Sequence, residues 1–80
     1  MKVMSTKQSV PKWFNGMLYT EGDTVTNPFS GESYELTAAE LSMYDFIIGC
    51  SMTGRMQNLM AKGLSWFRQN NPKAYMVLLD

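Results

Sequence analysis

The chain has no histidine and a single cysteine, Cys50, in 80 residues. Without histidine, the usual base that activates a serine, cysteine or threonine nucleophile is missing, and a zinc site would lack its ordinary ligands. A lone thiol closes no internal disulfide and is compatible with a reducing cytosol. Apolar runs stop far short of the roughly 18 residues a membrane-spanning helix needs, and the opening MKVMSTKQSV has no hydrophobic segment of signal-peptide type. The expectation is a soluble, cytoplasmic protein with no membrane contact. Excess charge is absent too: seven basic and seven acidic residues leave a formal net charge of zero, which argues against a general phosphate-backbone binder. Neither a P-loop nor a dinucleotide fingerprint is present. Glu32 and Glu35 point to opposite faces if they lie on a strand, so they do not converge for acid–base work. No catalytic, cofactor-binding or metal-binding residue follows from these patterns, and the reading is a non-enzymatic protein.

What the chain does hold must form one small domain. At this length only about 60–65% of the unfolded surface can be buried, and scaffolds so short usually need a disulfide, a metal or a partner subunit. With the first two absent, a homo-oligomer, in the first instance a dimer, is the expectation. The charges are blocked along the sequence. Lys2, Lys7 and Lys12 come first, then Glu21, Asp23, Glu32, Glu35, Glu40 and Asp45, and then Arg55, Lys62, Arg68 and Lys73. This order favours antiparallel packing of the halves, within one chain or between two, against the plainer reading of solvated faces.

The fold expected is α+β: an N-terminal meander of three to four short antiparallel strands, two helices or one bent long helix, and a short C-terminal helix. Residues 1–12 read as a mobile basic arm and 13–80 as the domain, with strands over 13–36 and helices over 37–80. Asn15-Gly16 between Trp13-Phe14 and Met17-Leu18-Tyr19 is a hairpin signal, since a type I′ turn needs positive φ at both central positions. Thr24-Val25-Thr26 suits a pleated surface, and Asn27-Pro28-Phe29-Ser30-Gly31 has turn composition. Glu32 to Leu36 alternates, with Tyr34 and Leu36 on one face and Glu35 on the other.

Thr37-x-x-Glu40 predicts a capping box at a helix start. From there Leu41, Tyr44, Ile48, Met52, Met56, Leu59, Gly63 and Trp66 recur at helical steps until Asn71-Pro72, and this stripe is where burial is expected to concentrate. Gly49, Ser51, Thr53 and Gly54 are weak helix formers, so two helices with a break near 51–54 is the first reading. The unslipped apolar phase keeps one bent helix as the alternative. Pro72 stops the second helix and can open a third, capped by Asn71, over 73–79, although Tyr75 to Leu79 is also short and apolar enough for a strand. Asp45 adjoins the stripe and is expected at the boundary, paired with Arg55 or Lys62. Cys50, within Ile47-Ile48-Gly49-Cys50, reads as a small core or interface residue. Trp13 and Trp66 are the natural anchors of a sheet–helix interface.

Three segments, Gly22 to Glu32 (GDTVTNPFSGE), Glu40 to Asp45 (ELSMYD), and Gly63 to Arg68 (GLSWFR) through Ala74 to Asp80 (AYMVLLD), resemble small uncharacterised proteins encoded by marine bacteriophages and found in ocean metagenomes. The similarity covers roughly residues 13 to 80. It implies a phage origin and a host-cell setting rather than a reaction, and it implies length variation near Ser51 to Gly54. Two functional readings follow. The first is a small interaction or structural protein that self-associates, or binds a host or phage protein, through a methionine and aromatic helix face made of Met52, Met56, Leu59, Met60, Leu64, Trp66 and Phe67; eight methionines make such an adaptable face available. The alternative is a nucleic-acid-binding accessory protein that uses the basic second half, with aromatic residues as stacking platforms.

Overall fold

A computed structural model describes residues 10–79, which form two strands and three helices: β1 (Asp23–Thr26), β2 (Ser33–Leu36), α1 (Ala38–Thr53), α2 (Gln57–Asn70) and α3 (Pro72–Leu78). The α+β class is as the sequence predicts, but the described strands are two, not three or four. The antiparallel pair aligns Asp23 with Leu36 and Thr26 with Ser33. Alternation along β2 buries Leu36, half-buries Tyr34 and exposes Glu35, as its pattern requires.

The turn between the strands is organised by Asn27, which uses every hydrogen-bonding group it has. Its amide donates to the Glu32 carbonyl at 2.8 Å and its carbonyl accepts from Gly31 N at 2.8 Å. Oδ1 accepts from the amides of Phe29 at 2.8 Å and Ser30 at 3.3 Å, an Asx turn. Nδ2 then donates to the carbonyl of Val77 at 2.9 Å, which ties the hairpin to α3.

The capping box at α1 forms as the spacing demands. Thr37 Oγ1 accepts from Glu40 N at 3.2 Å, and Glu40 Oε1 accepts from Thr37 N at 3.0 Å. Glu40 is also buried, with 3% of its surface exposed, and its Oε2 accepts from Asn71 Nδ2 at 3.0 Å. Asn71 Oδ1 in turn accepts from Ala74 N at 3.2 Å and so caps α3. One buried carboxylate therefore joins the start of α1 to the junction of α2 and α3. Residues 73–78 accordingly continue a helix that Pro72 opens, with Leu79 as its C-cap, and do not form a strand.

The chain breaks at Gly54, so the two-helix reading holds and the single bent helix does not. Gly54 has φ +72° and donates its N–H to the Cys50 carbonyl at 2.9 Å, a left-handed helix end that suits glycine. Met56 follows with φ +53°, the one residue other than glycine with positive φ among those described. Such a conformation costs a residue that carries a Cβ about 1–2 kcal/mol.

The buried face of α1 is not the expected stripe. Met43, Phe46, Ile47 and Cys50 lie in the core with Leu36, Phe67, Ala74 and Leu78, whereas Leu41, Tyr44 and Ile48 are half-buried and Met52 is exposed. The reason is that α1 carries apolar side chains around most of its circumference, so periodicity alone cannot choose its inner face. Packing against α2 makes the choice. Gly63 is buried at the crossing, where a Cβ would come within 3.1 Å of Ile47 and 3.2 Å of the Met43 sulfur.

The hairpin expected at Asn15-Gly16 does not form. Neither residue has positive φ, and residues 13–19 contain no strand. Trp13 and Phe14 instead turn onto α1, with ring centroids 6.3 Å and 5.3 Å from Phe46. A Cβ on Gly16 would lie 2.7 Å from the Phe14 ring, so the glycine permits close packing rather than a reversed turn. Further on, Tyr19 N donates to Ser42 Oγ at 2.9 Å, and that buried hydroxyl donates to the Ala38 carbonyl at 2.8 Å. The segment thus runs beside α1. Residues 1–9 of the expected arm lie outside the described residues; the Pro11 carbonyl, at its end, accepts from Phe14 N at 3.1 Å.

Asn27→Asp tests the link between hairpin and α3, because it keeps the acceptors of the turn and removes the donor to Val77. Urea unfolding should show a loss of about 1–2 kcal/mol. The two helical glycines should behave oppositely: nothing lies within 4 Å of a Cβ at Gly49. Gly49→Ala should raise monomer stability by roughly 0.5–1 kcal/mol, and Gly63→Ala should lower it, both read from thermal melts.

Candidate interaction site

The seven residues of the predicted helix face divide into three groups. Phe67 is fully buried and belongs to the core. Leu59, Met60, Leu64 and Trp66 are half-buried and pack against that core. Only Met52, at 82% exposure, and Met56, at 46%, offer substantial free surface. The face is therefore not one continuous patch. Its buried part was demanded by the crossing of α1 and α2, and its exposed part sits at the break between them.

Residues that sequence reasoning placed elsewhere complete the exposed part. Gly16, Met17, Asp45, Phe46, Gly49, Cys50, Thr53 and Met56 line an open groove of about 250 Å³. Met17 and Leu18, expected in a strand, are 67% and 65% exposed because the segment spends Trp13 and Phe14 on α1 and turns these two outward. Their signal in the sequence was a three-residue apolar run with no alternation, too short to pair. Gly49 forms an open floor. Met56 is held at the lip by its left-handed backbone, a type of strain that recurs at functional positions.

Asp45 stands exposed on the rim of this groove, not half-buried at a boundary, so burial imposes no need for Arg55 or Lys62 as a partner. Cys50 is a buried free thiol in its wall, in keeping with the structural reading. Among the described residues no group of three or more acidic or cysteine side chains converges as a metal site would require. No described helix is long and apolar enough to cross a membrane.

A second depression lies between residues 11–13 and α2. Pro11, Trp13, Lys62, Ser65, Trp66 and Gln69 line about 330 Å³. The two tryptophans therefore meet across one cleft rather than anchoring the sheet to a helix; the sheet rests on α3 and α1. The i, i+3, i+4, i+7 spacing of Lys62, Ser65, Trp66 and Gln69 was the available signal for this face. Arg68 stands over the Tyr75 ring at 5.8 Å and helps join α2 to α3.

No protein-family model, curated protein or solved structure matches the chain.

The strain at Met56 is separable from the surface its side chain provides. Met56→Gly should leave stability unchanged or raise it by up to about 1 kcal/mol, measured by urea unfolding at low protein concentration.

Proposed function

We propose that this protein is a small non-enzymatic interaction protein that pairs with a second copy of itself through the methionine-lined groove at the break between α1 and α2. The observation that carries the reading is that Met17 and Met56, both substantially exposed, line one groove, with the exposed Leu18 and Met52 next in sequence to its lining residues Met17 and Thr53. A chain of 80 residues has few large apolar side chains to leave in water, and methionine adapts its shape to an opposing surface at little cost. Pairing would cover this surface and supply the burial that so short a chain otherwise lacks. The setting we propose, on the resemblance read from the sequence, is that of an accessory factor in the cytoplasm of an infected host. A helix of a host or phage protein would be the other occupant of the same groove.

Sedimentation velocity across a micromolar concentration series tests the pairing. A monomer–dimer equilibrium is the predicted result, and Met17→Ser with Met52→Ser should shift it to monomer. Both positions are exposed, so each substitution should alter folding stability by no more than about 0.5 kcal/mol. A wild-type chain that stays monomeric throughout the series would contradict self-association.

A further inference from the structure

The cleft between residues 11–13 and α2 combines two flat aromatic side chains with a cation and two neutral polar groups. One face of α2 presents Lys62, Ser65, Trp66 and Gln69, and Trp13 with Pro11 forms the opposing wall. Both indoles are backed by rings of the core: Trp13 stands 6.3 Å from Phe46 and Trp66 stands 6.2 Å from Phe67, centroid to centroid. Each remains only half-buried. Their positions are thus set before a ligand arrives, which reduces the ordering cost of binding.

Charge selects among the ligands such a cleft can take. No carboxylate lines it among the described residues. The sequence has no acidic residue between Asp45 and Asp80, an interval that holds Arg55, Lys62, Arg68 and Lys73, and Lys12 directly precedes Trp13. A neutral carbohydrate, or a proline-rich peptide without acidic residues, brings no anion for Lys62. An unpaired nucleotide brings both a π face and a phosphate.

We infer that this cleft binds single-stranded nucleic acid, with a base stacked on an indole and a backbone phosphate at Lys62. Every base has a face to stack, so recognition is tolerant of sequence. The Gln69 amide and Ser65 hydroxyl each donate and accept, and they can meet base edges without demanding one base. Lys62 is the cation that lines the cleft, so the electrostatic grip there is on about one phosphate, and duplex DNA, whose bases already stack on each other, is a poor ligand.

Trp13 and Trp66 are the two tryptophans of the chain, so tryptophan fluorescence reads the cleft directly. Titration of the full chain with oligothymidylate at low salt should quench the emission, and affinity should fall as salt rises. Lys62→Gln, at an exposed position, should reduce the log–log salt slope by about 1. Trp66→Ala should weaken binding roughly 5- to 100-fold, and Trp66→Phe, which keeps a ring beside Phe67, should recover part of that loss and so separate stacking from folding. Absence of quenching at low salt would overturn the inference. So would an unchanged affinity and salt slope in Lys62→Gln, or quenching by a cello-oligosaccharide or a proline-rich peptide with none by oligothymidylate.

Discussion

The buried carboxylate of Glu40 is the interaction on which the rest of the architecture depends. One oxygen closes the capping box at Thr37 and the other accepts from the side chain of Asn71, which itself caps α3. The start of α1, the end of α2 and the start of α3 are thereby fixed at one point. Burying a carboxylate is costly unless its lone pairs are met by good donors, and here donors reach both oxygens. Hydrogen bonds to an ionised group are roughly twice as strong as neutral ones. The arrangement therefore favours a single relative placement of three helices that hydrophobic contact alone would leave free to slide.

Given that fixed point, α1 becomes the axis of the molecule because it is apolar around most of its surface and must be covered from several directions. The crossing at Gly63 covers one side with α2. Residues 13–19 cover another, and in doing so they forgo a hairpin and leave Met17 and Leu18 facing solvent. The helix break adds the strained Met56, which shares a groove with Met17, and leaves Met52 exposed. The two candidate surfaces thus have one origin. The same segment that shields α1 with Trp13 and Phe14 creates a methionine groove on one side and an aromatic cleft against α2 on the other.

Local chemistry made much of this legible from the residues. Thr37 and Glu40 announce the helix start, Asn27 to Gly31 the turn, Gly54 the break, and Asn71-Pro72 both a stop and a new cap, because each acts through neighbours a few positions away. What escaped was tertiary. The choice of Met43 and Ile47 over Leu41 and Ile48 as the inner face is made by α2, and nothing in the period of α1 records it. Asn15-Gly16 carries the composition of a reversed turn, but burial of Trp13 and Phe14 against Phe46 outweighs that local preference. The contact between Glu40 and Asn71 spans 31 positions and joins two caps that are each explicable alone. The same holds for the predicted helix face: a methionine stripe marks apolar surface, and only packing decides that Phe67 is inside and Met52 outside.

The most direct test of this account is a double-mutant cycle between Glu40 and Asn71, with unfolding free energies measured in urea for the wild type, Glu40→Gln, Asn71→Ala and the double variant. Loss of the Ala74 cap affects both Asn71 backgrounds equally and cancels. A fixed junction predicts a coupling of about 1–3 kcal/mol between the two sites. Additivity to within about 0.3 kcal/mol would contradict it.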